Sequence, residues 1–205
     1  SLRGFRTISP LKKERFCYKI VTEQEKIQEK ECAHCMKYDV GQYVMYRNNG
    51  VCRIEAIGKL GFLQNSDEEY YTLRPPFTTS DEHSYVPTKE EEYLRSVITR
   101  QEAYTYLDRL NQLEVSPSGI KKRQELVSYY HELLSAEGLN GRLRLLKELS
   151  LKEQTEQNRG KRLTTTDEQY KRKTEQLLSE EFAVALEESP EQAKEQLYAA
   201  MFGAK

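Results

Sequence analysis

Cys32-Ala33-His34-Cys35 has the spacing that offers two thiolates to one tetrahedral zinc ion. Such an ion needs four ligands, and the other cysteines, Cys17 and Cys52, are not paired in sequence. The four thiols therefore read as free, and no metal or other cofactor is expected. His34, His83 and His131 are scattered. No nucleophile, oxyanion or phosphate-loop signature accompanies them, so the chain is expected not to be an enzyme. The remaining chemistry is cationic: Lys121, Lys122, Arg123, Arg142, Arg144, Arg159, Lys161, Arg162, Lys171, Arg172 and Lys173 can contact phosphates, or form a solvated face balanced by nearby glutamates.

The elements that must position these groups are read from composition and pattern. Over 205 residues the chain is 37% hydrophobic and 32% charged, with a mean hydropathy of -0.83. That length suits one large domain or two small ones, and the polarity implies thin cores under a strongly solvated surface. The net charge of -1 argues against a protein that coats nucleic acid. The distribution is uneven: cations exceed anions in residues 120–175, and anions exceed cations from 176 to the end. No apolar run reaches the length of a membrane span and no secretory signal is seen, so the chain reads as cytosolic.

Period-two patterning with turn signals runs from 36 to 95, and helical spacing takes over from about 99. Asn48-Asn49-Gly50 between Gln42–Arg47 and Val51–Ile57 predicts a tight hairpin, because both turn residues tolerate positive φ. Lys59–Phe62, Tyr70–Arg74 and Ser84–Pro87 complete about five strands. So small a sheet escapes exposed edges most easily by curling into a barrel. Further on, Thr99 with Glu102 predicts a capping box, with Ala103, Tyr106, Leu107 and Leu110 as the buried stripe. A second helix from Lys121 carries Leu126, Tyr130, Leu133 and Leu134 and ends at Gly138; a third carries Leu139, Leu143, Leu146 and Leu149. Residues 155–162 read as a polar, basic connection. A long helix after Thr165 and a last one opened by Ser189-Pro190-Glu191-Gln192 close a five-helix bundle. The expected fold is thus α+β, a small SH3/Tudor-like β-barrel in 36–95 followed by an all-α bundle in 96–205.

Tyr38-Asp39-Val40-Gly41-Gln42-Tyr43-Val44-Met45-Tyr46 followed by Asn49-Gly50-Val51-Cys52-Arg53-Ile54-Glu55-Ala56-Ile57 resembles the opening of the CarD-like family and of the RNA-polymerase-interacting domain of transcription-repair coupling factor. In that family a V-G-D-x-V-x-Y strand, an H-G-V-G turn and an I-E-x-I strand follow in order. The resemblance continues at Glu69–Arg74, Val86-Pro87 and Leu94–Glu102. It extends to Leu163-Thr164 with Glu168 and to Leu177–Leu186, so that it covers 36 to about 203. Gln42 stands at the family's usual aspartate, Asn49-Gly50 replaces its His-Gly, and the chain has no tryptophan where many members place a minor-groove wedge; Ile120 stands nearest.

The resemblance implies a bacterial transcription regulator without an active site. Its barrel would dock on the lobe of the polymerase β subunit, and its helices would contact promoter double-stranded DNA at the upstream edge of the melted region, stabilising the open complex. The polymerase-facing candidates are then Tyr46, Arg47, Arg53, Lys59, Leu60, Tyr71, Arg74 and Tyr85. The DNA-facing candidates are Ile120, Lys121, Lys122, Arg123, Arg142, Arg159, Lys161 and Arg162. A monomer with no membrane and no small-molecule substrate is expected. The competing reading is an interaction module of the same architecture that never meets DNA. Residues 1–35 precede the resemblance, and Met36 stands where family members begin. They are expected to be an atypical extension, either from an upstream start or an added amphipathic helix around Leu11 to Lys30.

Overall fold

The computed structural model describes residues 37–61, 67–78, 81–135 and 138–203. The expectations for Cys17, Cys32, His34, Cys35 and the helix around 11–30 lie outside the described residues. Residues Lys37–Lys205 form one compact unit. Five strands come first: β1 (Tyr43–Tyr46), β2 (Gly50–Gly58), β3 (Tyr70–Arg74), β4 (Ser84–Pro87) and β5 (Leu94–Ser96), with a 3-10 segment over Thr88–Tyr93. Five α-helices follow among the described residues: α1 (Arg100–Leu110), α2 (Arg123–Ser135), α3 (Gly138–Asn158), α4 (Thr165–Leu186) and α5 (Pro190–Phe202).

The sheet is antiparallel throughout, in the order β4-β3-β2-β1-β5. The hairpin is present, but with different turn chemistry: Tyr46 pairs with Gly50, the Asn49 N–H donates to the Tyr46 carbonyl at 2.9 Å, and Arg47 and Gly50, not Asn49, take the positive φ values. The backbone conformation of Gly50 favours glycine, and Glu180 crowds the same spot. The glycine φ is +111°, and a Cβ would lie 2.7 Å from a carboxylate oxygen of Glu180 on α4. Two expectations need correction. The expected strand at Lys59–Phe62 is not found over its described part; β2 runs on to Gly58, and 59–61 leave the sheet. The fifth strand is instead Leu94–Ser96, which pairs with β1. Nor is the sheet a closed barrel, because β4 and β5 stay unpaired to each other and are joined by the 3-10 segment.

The sheet is nevertheless curled. Tyr38 donates its hydroxyl to the Leu94 carbonyl of β5 at 3.2 Å and meets the Tyr71 ring of β3 edge-on at 6.1 Å. Both flanks therefore close over one apolar core of Val44, Cys52, Ile54, Leu73 and Val86. The alternate residues Met45 and Val51 point the other way, into a core shared with Leu126, Tyr130 and Leu133 of α2, Leu145 and Leu149 of α3, and Leu177 of α4. A third core joins α1, α3, α4 and α5 through Ala103, Leu110, Leu143, Phe182 and Leu197. Each of these fully buried aliphatic or aromatic side chains contributes on the order of 1.5–3 kcal/mol relative to exposure. The expected division between 95 and 96 falls inside β5.

Local signals set the helix starts. Thr99 and Glu102 close the expected capping box, as do Ser189 and Gln192 with Pro190 in the first turn. Thr164 caps α4 with Asp167 in the reciprocal role. α3 continues to Asn158, so residues 155–158 are helical and not part of the connection; Gly160, at φ +70°, makes the break. Gly138, at φ +59°, opens α3.

Candidate functional site

Two surfaces gather most of the candidate residues. The first is the outer face of the sheet, where the register sets Tyr43 against Arg53, Arg53 against Arg74, and Thr72 against Tyr85. A bulge between Ile54 and Ala56 turns Glu55 outward into this row. Glu55 accepts from Arg74 at 3.4 Å and pairs with the His83 ring at 2.9 Å, and these contacts hold its carboxyl below the usual range, His83 first and Arg74 second. Arg74 also donates to Asp81 at 3.0 Å. Arg53 is exposed and has no anionic partner among the described residues. Tyr43, its cross-strand partner, and Tyr85 on the same face are 40% and 42% exposed, whereas the equally exposed Phe77 lines a groove with Arg172, Glu175 and Pro190 of α4 and α5. An unpaired arginine among accessible aromatic rings is the composition of protein-binding hot spots.

The other sheet candidates are placed as follows. Lys59 is exposed and paired with Asp67 at 2.7 Å, and Leu60 is half-buried just beyond the end of β2. Tyr46 packs partly into the sheet core. Arg47 lies at the hairpin turn with its guanidinium over the Tyr93 ring, away from the outer row. Tyr71 does not face outward. Its side chain is fully buried and its hydroxyl donates to Glu91 at 2.7 Å. Burial, then the Glu91 carboxylate, pushes this phenol up to about 12. It is a core residue, because period two sends it inward with Leu73. Phe77, which sequence reasoning missed, follows Pro75-Pro76 in the connection after β3; an aromatic among polar turn residues was the signal that could have found it.

The second surface is one end of the helical layer. α2 and α3 are joined across two residues and run antiparallel, with Tyr129 donating to Glu148 at 2.9 Å. The start of α2 therefore lies toward the same end as the end of α3. Asp167 on α4 fixes the corner: fully buried, it accepts from Tyr130 at 2.8 Å and Lys152 at 2.9 Å, and takes part in the Thr164 cap. Its burial opposes ionisation, but the hydrogen bonds from Lys152, Thr164 and Tyr130 prevail and hold the carboxyl below its usual value. Lys121, Lys122 and Arg123 at the start of α2 and Arg159, Lys161 and Arg162 between α3 and α4 are all exposed. Lys122 pairs with Glu125 at 2.8 Å and Arg159 with Glu156 at 3.1 Å, whereas Lys121, Arg123, Lys161 and Arg162 have no acidic partner among the described residues. Ile120 is half-buried against the core formed with Leu126 and Tyr130.

Arg142 does not belong to this surface. It is 4% exposed and donates to the carbonyls of Leu134 and Arg47, both at 3.2 Å, so it cannot reach a phosphate on an outer duplex. Charged residues on a helix read as solvated by default, and only the packing of α3 between sheet and helices revealed this one as interior.

An exposed aromatic and arginine row on a curled sheet is the surface of a protein-interaction module. Residues 38–98, which span β1 to β5, match the family described as the CarD-like/TRCF RID domain. The match supports a CarD-like relationship for the sheet, whose domain class interacts with RNA polymerase. No curated protein matches the chain. No helix among the described residues is long and apolar enough to cross a membrane.

Proposed function

We propose that the protein is a bacterial transcription regulator that docks on the lobe of the RNA polymerase β subunit through the outer face of its sheet. Its helical end then meets promoter DNA at the upstream edge of the melted region. The observation that carries this reading is the family match over 38–98, together with the exposed Tyr43, Arg53 and Tyr85 row on the matched sheet. The unpaired Lys121, Arg123, Lys161 and Arg162 supply cations for phosphates at one end of the helices. No chemistry is needed: a protein that binds the open promoter complex better than the closed one shifts the population toward it. Binding is expected between the full chain and the isolated β lobe, together with an extended footprint and a longer-lived open complex on a promoter when polymerase carries the protein. A lobe that ignores the chain at micromolar concentration would refute the reading.

One observation favours a module that binds polymerase without DNA. Lys122 and Arg159 are already paired to glutamates, and Arg142 is interior, so fewer free cations remain than the sequence suggests. Lobe binding with no change in the DNA footprint would select this second reading.

A further inference from the structure

A cleft of about 450 Å3 opens where the β1–β2 turn, the 3-10 segment, the end of α2 and the start of α3 meet. Two guanidinium groups share one carboxylate at its base. Arg95 takes both oxygens of Glu181, the second at 2.7 Å, while Nη1 of Arg142 stands 3.8 Å from the same group. Arg142 is 4% exposed, and that Nη1 has no hydrogen-bond acceptor; its other donors are spent on the carbonyls of Leu134 and Arg47 and on Asn48. Burial first, and the charge of Arg95 second, hold the Arg142 guanidinium below its ordinary pKa. A buried cation with less than a full counter-charge is costly to keep.

A third cation is held at the mouth. Arg47 sits at φ +46°, a conformation rare for a residue with a side chain. Its backbone N–H donates to the Tyr93 carbonyl at 3.1 Å, its carbonyl accepts from Arg142, and its guanidinium lies 3.2 Å from the Tyr93 ring centroid. It has no carboxylate partner among the described residues. His131 also lines the cleft, and Glu92 opposes these cations there.

We propose that this cleft binds a small phosphate-bearing anion of nucleoside mono- or diphosphate size, with Arg47 as the contact at the mouth and Arg142 and Arg95 as the excess charge beneath. The volume lies within the range of about 300–1,000 Å3 typical of small-ligand sites, and is far larger than a halide needs. The planar forks of arginine suit phosphate oxygens, and the three guanidinium groups outnumber the two carboxylates, Glu181 and Glu92, by one, which favours an anion in the cleft. This inference does not depend on the polymerase reading.

The experiment is calorimetric titration of the full chain with pyrophosphate, inorganic phosphate, adenosine diphosphate and acetate at matched ionic strength. Saturable one-to-one binding of the phosphates, with acetate inert, is expected. Pyrophosphate binding as tightly as the nucleotide assigns the site to the phosphate alone; tighter nucleotide binding assigns part of it to the nucleoside. Asparagine tolerates positive φ, so Arg47→Asn keeps the turn, and it is expected to weaken binding by at least about tenfold, the effect of removing a charge-assisted hydrogen bond. Arg109→Gln, on α1 and outside the lining of the cleft, should leave the phosphate affinity unchanged. Absence of saturable binding, equal binding of acetate, or an unchanged affinity in Arg47→Asn would overturn the proposal.

Discussion

Glu181 of α4 accepts both terminal nitrogens of Arg95 on β5, so a fully buried carboxylate on the longest helix fastens the edge strand of the sheet. Removing it strands two guanidinium groups. Glu181→Ala is expected to cost about 3–5 kcal/mol, as for other buried pairs broken on one side. Urea unfolding followed separately by a sheet-sensitive and a helix-sensitive signal should show both transitions moving together.

Acid should find Asp167. Because its folded pKa lies below the ordinary 3.8, its ionised form adds stability that is fully present above that value and is lost as pH falls through the folded one. Asp167→Asn keeps the shape and removes the charge. Its expected cost near neutral pH is about 1.5–3 kcal/mol, and its difference from the parent should shrink below pH 4 in denaturant titrations read against pH.

The tyrosines of the sheet divide by face. Tyr71→Ala should destabilise the protein by about 3–5 kcal/mol, since it empties the centre of the sheet core. Tyr85→Ala and Arg53→Glu should leave thermal unfolding nearly unchanged yet weaken binding to the polymerase β lobe by at least about tenfold. Parallel melting curves and lobe titrations on the three variants check the division.

Neutralising Lys121, Lys122 and Arg123 is expected to lower promoter affinity and flatten its salt dependence by about 0.9 in logarithmic slope for each phosphate that the cluster no longer neutralises. Salt titration of the polymerase–promoter complex measures this directly. An unchanged slope would assign the cluster to a solvated surface.

Cys52 offers a probe of opening. Burial, reinforced by the charge of Glu180, pushes its thiol up to about 11, and the side chain is 3% exposed. Iodoacetamide at neutral pH should therefore spare it in the folded protein and modify it in urea, with mass spectrometry assigning the site.

What the sequence discloses follows the range of each interaction. The caps at Thr99 and Ser189 were legible because both partners lie within one turn; the hairpin near Asn49-Gly50 was legible in place, but not in the positive φ of Arg47, which its contacts with Tyr93 and Arg142 hold. β5 was not: three residues after an acidic 3-10 segment carry too little pattern, and only pairing with β1 makes them a strand. Arg142, Glu148 and Glu181 were unreadable as interior groups because helical charge implies solvent until a neighbouring element covers it. Leu145 held a faint warning. It lies off the stripe of Leu139, Leu143, Leu146 and Leu149, and a second apolar side on α3 signals cover from two directions.

Met45 and Val51 extend from the sheet into the core of α2, α3 and α4, so sheet and helices are not two bodies on a tether. A ligand gripping the sheet consequently presents the helical end to a second ligand at a set angle and distance. The second encounter then proceeds at a high effective concentration without the orientational search that a flexible linker would impose. A spacer spliced between Ser96 and Thr99 would leave this coupling in place, because the shared core and the Arg95–Glu181 pair carry it rather than the connecting residues.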